Sequence, residues 1–179
     1  MFSRIMKQGK FVLSSGVESS YNYDYSLLSD TMNEAYCSLL VKKLDSWQSK
    51  HGTFDVVIGC ETEGIRIGYV LSKLMDLPFY LMPKKSTDFA EVAIPPYPED
   101  THWLIVDDIV TTGSTFLRAV NSLDIEEKAE SITYACMIKR KPEYLDYSAV
   151  KGDADKEQFH VRAERFDFID KRLVSLYSE

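Results

Sequence analysis

Residues 104–115, Leu-Ile-Val-Asp-Asp-Ile-Val-Thr-Thr-Gly-Ser-Thr, leave this chain little freedom in how it folds. An apolar run ending in two carboxylates is the pattern of a buried parallel strand arriving at the surface. A hydroxyl-rich turn follows, after which Phe116, Leu117, Ala119, Val120 and Leu123 recur at helical spacing. The order is strand, acidic pair, loop, helix. A helix start carries unpaired N–H groups and the positive end of the macrodipole, so an anion sits well there. Thr111, Thr112, Ser114 and Thr115 add hydroxyl donors, and Gly113 lacks the Cβ that would hold a phosphate away. Asp107 and Asp108, just upstream, can accept hydrogen bonds from sugar hydroxyls or help to hold Mg²⁺. One site thus offers groups for a phosphate and for a ribose.

Each half also has a plainer reading. Two acids after a strand make a solvated strand end, and Ser or Thr before a helix is an ordinary N-cap. It is their combination, in this order and spacing, that points to function. The stretch is not a Walker loop, having no Gly-Lys-Ser/Thr, and lacks the Gly-x-Gly-x-x-Gly of a dinucleotide site. It closely resembles the phosphoribosyl-pyrophosphate-binding motif of the type I phosphoribosyltransferases: an apolar strand, Asp-Asp, two variable residues, then Thr-Thr-Gly-x-Thr. That resemblance implies an α/β fold, an open, mostly parallel twisted sheet flanked by helices, with a small N-terminal hood.

The 179 residues suit a single domain with a substantial core, read as a hood over 1–26, a helix and α/β core over 27–141, and a C-terminal segment over 142–179. A formal charge of −7 argues against a nucleic-acid-coating surface, which needs clustered Lys and Arg. A substrate with several phosphates then needs local positive charge or Mg²⁺. Cys37, Cys60 and Cys136 are odd in number, far apart and set in apolar segments, so they read as buried thiols in a reducing compartment. Residues 1–10 lack the apolar core of a signal peptide, and no run approaches the roughly 18 apolar residues of a membrane span. The expectation is a cytoplasmic protein with no membrane and no nucleic-acid partner.

Before the central motif, residues 1–6 suggest a short helix, and Phe11–Leu13, the Ser14-Ser15-Gly16 turn and alternating Tyr21, Tyr23 and Tyr25 suggest a hairpin. Its aromatic face either packs on the body or acts as a lid that stacks on a flat base. Phe11, Leu13, Ser15, Gly16, Ser19 and Tyr21 resemble the hood motif of orotate phosphoribosyltransferases, with Ser14 where that family usually has a lysine. Leu28, Met32, Ala35, Tyr36, Leu39, Leu40, Leu44 and Trp47 predict a helix from Leu27 to about Lys50, capped by Ser29 or Asp30 and ended by His51-Gly52. Phe54–Gly59 and Ile65–Met75 form a second strand–loop–helix unit around Glu61-Thr62-Glu63-Gly64. Phe79–Met82 is a further strand, followed by a proline-rich loop to Asp100 that starts with Lys84 and Lys85, either a solvated pair or phosphate contacts. Ser131–Ile138 is another strand, running into Lys139-Arg140-Lys141, either a charged loop or a ligand contact. Beyond it, Phe159–Val161 and Phe166–Phe168 read as short strands, and Leu173–Tyr177 as strand or helix.

The resemblance implies transfer of a 5-phosphoribosyl group from phosphoribosyl pyrophosphate to a nitrogenous base, with an orotate-like pyrimidine the first candidate. It also implies Mg²⁺ assistance, release of pyrophosphate and a homodimer. Carried over by motif, Asp107, Asp108, Lys84 and Lys85 act at the reacting centre, and Thr111, Thr112, Gly113, Ser114 and Thr115 hold the 5-phosphate. Glu61, Thr62, Glu63 and Gly64 line the pyrophosphate side, and Tyr21, Tyr23, Lys139 and Arg140 meet the base. Asp107 and Asp108 also hold the metal, directly or through the substrate. The competing expectation is a regulatory protein that binds the donor or a nucleotide but has lost turnover, motivated by Ser14 and by the absence of a histidine from the loop before Asp100.

Overall fold

The apolar runs become neighbouring strands of one parallel sheet. The computed structural model describes residues 2–13, 18–83, 97–111, 113–123, 131–140 and 171–178. Among them, β1 (Met6–Val12) and β2 (Glu18–Tyr23) form an antiparallel hairpin, and α1 (Asp30–His51) follows. The core then runs β3 (Val56–Cys60), α2 (Glu63–Met75), β4 (Phe79–Met82), β5 (Trp103–Val110), α3 (Ser114–Leu123), β6 (Ile132–Lys139) and β7 (Leu173–Ser178). The sheet order is β4-β3-β5-β6-β7 with every pair parallel, the open α/β sheet expected. β3, β5 and β6 lie inside it and are covered on both faces, which is why Val56–Ile58, Trp103–Val106 and Tyr134–Ile138 are so apolar. Strand alternation sends Leu104 and Val106 into a cluster with Leu40 and Leu44 of α1 and Ile67 and Leu71 of α2. Ile105 goes the other way, to Phe116, Ala119 and Val120 of α3.

Local chemistry sets the element ends. The Ser29 hydroxyl accepts from Met32 N at 3.3 Å and caps α1, and Gly52 closes it. Asp76 takes the left-handed conformation that ends α2, two residues before Pro78. Lys43 Nζ donates to Ser175 O at 2.7 Å and Leu176 O at 3.0 Å, tying α1 to the edge strand β7.

Four expectations change. β5 does not stop at Val106 but carries Asp107 and Asp108 within it, because its ladder with β6 continues to the Val110–Lys139 pair and keeps the backbone bonded. β1 starts at Met6, ahead of Phe11, after a short 3-10 turn over Ser3–Ile5. Tyr25 leaves the hairpin for a 3-10 turn and is buried, its hydroxyl donating to Asn33 Oδ1 at 3.0 Å. On α1 the fully covered positions are Asn33, Cys37, Leu40 and Leu44, whereas Ala35 and Leu39 face solvent. Leu173–Ser178 is a strand. Phe159–Val161 and Phe166–Phe168 lie outside the described residues.

Candidate active site

The carboxyl ends of β3, β5 and β6 and the overlying hairpin enclose a cavity of about 560 Å³. Ligands of open α/β sheets bind in this place, beyond the strand ends. Asp107 and Asp108 are both on its wall. Consecutive strand positions point to opposite faces, so the pair spans the sheet. The upstream carboxylate, Asp107, is 7% exposed, and its Oδ1 accepts from Asp108 N at 3.0 Å. Burial first, then the charge of Asp108, holds its carboxyl above the usual carboxylate range, while the Thr115 hydroxyl favours the charged form. Asp108 is half-buried, and its Oδ1 accepts from Ile109 N at 2.8 Å. Burial raises its pKa too, against the hydrogen bond with Asp107.

The turn after β5 bends around the same cavity. Thr111, Gly113 and Thr115 line it, Ser114 opens α3, and Thr112 lies outside the described residues. Gly113 has φ +72°, in the left-handed region that a side chain disfavours. The turn after β3 forms the facing wall through Glu61, Thr62 and Glu63. Gly64 is packed beneath, where a Cβ would meet Val106 O at 2.6 Å and Asp107 Cα at 3.0 Å. Among the described residues Glu63 Oε2 is buried without a hydrogen-bond partner, with Arg66 Nη1 at 3.6 Å. Arg66 itself is committed to Leu28 O at 2.7 Å and Asp30 Oδ1 at 2.9 Å.

Of the four residues carried over as base contacts, Tyr23 and Arg140 line the cavity, whereas Tyr21 and Lys139 are not among its described walls. Arg140 is 1% exposed as a residue. Its Nη2 donates to Ser19 Oγ at 2.9 Å, its guanidinium lies 4.1 Å from the Tyr21 ring centroid, and its N–H donates to Val110 O at 2.9 Å. Tyr21 therefore acts behind Arg140, as its platform. Lys139, one residue earlier, is still within the β6 ladder, opposite Val110 and Ser178. Lys84 and Lys85 lie outside the described residues.

Two wall residues escaped the sequence reading. Asp24 follows Tyr23 on the hood and pairs with Lys7 at 2.6 Å. Arg118 comes from α3, three residues beyond Thr115 and so on the same helix face. That spacing was the available signal. The described wall then carries Asp24, Glu61, Glu63, Asp107 and Asp108 against Arg118 and Arg140. A polyphosphate entering it needs added positive charge.

Among the described residues no group of three or more His, Cys, Asp or Glu could enclose a metal ion. The wall suits instead a Mg²⁺ held by one or two carboxylates plus substrate phosphates, the usual habit of that ion. Cys37, Cys60 and Cys136 are free and buried, and burial pushes the Cys37 thiol up to about 12. None of the described helices is long and apolar enough to cross a membrane.

Comparison with known proteins agrees with this geometry. A family model described as a phosphoribosyl transferase domain matches residues 37–166. The orotate phosphoribosyltransferase of Sulfurisphaera tokodaii is 30% identical over 132 residues, 69% of this chain and 63% of that enzyme. This chain thus spans somewhat under two thirds of that relative. The orotate phosphoribosyltransferase of Pyrococcus abyssi is 30% identical over 165 residues, 89% of this chain and 84% of the relative. The crystal structure of orotate phosphoribosyltransferase from Aeropyrum pernix aligns with a TM-score of 0.66 at 20% identity, over 98% of this chain and 89% of that one. At that identity the last likeness is one of fold.

Proposed function

We propose that this chain, which belongs to the phosphoribosyltransferase family of pentosyl-transferring enzymes, moves a 5-phosphoribosyl group from phosphoribosyl pyrophosphate to a nitrogenous base and releases pyrophosphate. The observation that carries this reading is the shared cavity. Its wall joins the acid pair, the hydroxyl turn, the Glu61–Glu63 turn and a buried guanidinium. In this reading Asp107 and Asp108 accept hydrogen bonds from the ribose hydroxyls and orient the sugar. Thr111–Thr115 receive the 5-phosphate at the positive end of α3. Glu61, Thr62, Glu63 and Gly64 border the diphosphate, and Lys84 and Lys85 are assigned to the same reacting centre. Mg²⁺ held by the donor and by Asp107, Asp108 or Glu63 would offset the charge of the departing diphosphate.

Orotate is the base that this site favours. It is an anionic pyrimidine, and Arg140 offers a rigid guanidinium already fixed by Ser19 and Tyr21. Tyr23 supplies an apolar edge beside it. The relatives named orotate phosphoribosyltransferase support the same choice. A homodimer working in the reducing cytoplasm completes the proposal, a setting that the three free thiols suit.

The competing reading, a donor-binding regulator without turnover, draws on the excess of carboxylates on the wall and on Ser14. Pyrophosphate release, followed with the donor, Mg²⁺ and a panel of bases, separates the two. Release with orotate and an Arg140→Gln variant that raises the orotate KM by about 10–100-fold support the enzyme, one charge-assisted contact being worth about 1.5–3 kcal/mol. Donor binding by calorimetry with no release on any base supports the regulator. Absence of donor binding removes both.

A further inference from the structure

We propose that Arg118 is the fixed cation that receives the diphosphate end of the donor. This inference rests on the phosphoribosyl-transfer reading and assigns a contact that the motif comparison does not.

Arg118 is on the cavity wall with Thr115 and Asp107, yet its Nε is buried with no hydrogen-bond partner among the described residues. No ion pair within 4.0 Å involves it among the described residues. A guanidinium has five donors, and leaving a buried one unmade costs about 1–3 kcal/mol. An arginine on a cavity wall with an unmet donor is arranged for an anion that arrives from outside.

Its surroundings say which anion. Cys60 ends β3 immediately before the Glu61–Gly64 turn and is buried in one cluster with Phe116 and Ala119 of α3, the helix that carries Arg118 between them. The positive field of Arg118 thus falls on the diphosphate side. Among the described residues, the other arginines near the wall are already engaged. Arg66 is bound to Leu28 O and Asp30 and is not on the described wall, and Arg140 is engaged by Ser19 and Tyr21 beneath the hood. The 5-phosphate already has a helix start and threonine hydroxyls. The diphosphate carries more charge and faces Glu61 and Glu63, so its need for a cation is larger.

The test is calorimetry on the full chain with Mg²⁺, titrating inorganic pyrophosphate, ribose 5-phosphate and phosphoribosyl pyrophosphate into wild type, Arg118→Lys and Arg118→Gln. Arg118→Gln should lose about 10–100-fold in affinity for pyrophosphate and for the donor, as expected for a lost charge-assisted contact. Its ribose 5-phosphate affinity should stay within about threefold, and Arg118→Lys should fall between. Because Nε makes no contact to lose, Arg118→Gln should melt close to wild type. If it does not fold, Arg118→Lys decides by the same split between pyrophosphate and ribose 5-phosphate. Unchanged pyrophosphate affinity, or an equal loss on both ligands, overturns the assignment while wild-type donor binding leaves the parent reading standing. Wild type binding neither donor nor pyrophosphate overturns both.

Discussion

The turn after β3 and the turn after β5 hold equivalent places, each between a buried strand and a helix, yet they are built for different tasks. The first is drawn tight. Gly64 seats the start of α2 so closely on β5 that a methyl there would reach 2.6 Å from Val106 O and 3.0 Å from Asp107 Cα. The second is held open, with Gly113 at φ +72° and Thr111 and Thr115 turned to the cavity. The β3 turn therefore positions the acid pair from beneath, and the β5 turn presents groups to a ligand. Position and contact are separable roles, so substitutions in the two turns should separate as well.

The largest separation is expected in donor affinity. Asp107→Asn with Asp108→Asn, at the head of the β5 turn, removes the two carboxylates proposed to meet the ribose, at about 1.5–3 kcal/mol each. Phosphoribosyl pyrophosphate with Mg²⁺ should then bind on the order of 10²–10⁴-fold more weakly by calorimetry. In the other turn, Glu61→Gln with Glu63→Gln should cost less than about tenfold, since Glu61 is exposed and the Glu63 ion pair is long at 3.6 Å. Comparable losses in the two double variants would erase the distinction drawn between the turns.

Stability should show the reverse order. Gly64→Ala forces a methyl against backbone that cannot swing aside, a destabilisation of about 1–3 kcal/mol. Gly113→Ala carries the left-handed penalty, about 1–2 kcal/mol. Denaturant midpoints measure both. Gly64→Ala should also weaken donor binding, because the strain falls on Asp107. A Gly113→Ala protein less stable than Gly64→Ala would mean that α2 can lift from β5 at little cost.

How far these roles could be read in advance depended on whether local pattern or tertiary contact decides. The parallel sheet is legible because the central parts of β3, β5 and β6 are covered on both faces and so are apolar. The extent of β5 is not. Aspartate is depleted in strands, and only the continued pairing with β6 keeps Asp107 and Asp108 extended. On α1 the covered face differs from the sequence expectation at Ala35 and Leu39, because α2 and β7 select it and take Asn33 inward beside the expected Cys37. Tyr25 was read as a strand residue because its partner, Asn33, is eight residues away in another element. In the site, both turns and the acid pair were legible from residue type and order. Arg140 and Lys139 were indistinguishable, since only the end of the β6 ladder turns one to the cavity and keeps the other in the sheet. Arg118 lies outside the apolar spacing that marks the buried face of α3, and its offset of three from Thr115 places it on the cavity face.

The smallest expected effect comes from the acid pair at the head of the open turn, with no ligand present. Asp107 is 7% exposed, and burial followed by the charge of Asp108 raises its pKa above the unfolded value. The folded chain therefore holds this proton more tightly than the unfolded chain. Its contribution to stability is complete below the ordinary aspartate pKa of about 3.9 and is lost as pH rises through the folded value. Asp107→Asn has no such titration. The ligand-free variant should melt close to wild type in acid and above it near neutrality, by a few degrees, the gap widening over the interval in which wild-type Asp107 ionises. Melting curves across that interval measure the difference. A gap that stays constant with pH would show that the acid pair carries no electrostatic cost in the empty protein. The open turn would then differ from the tight one in shape alone.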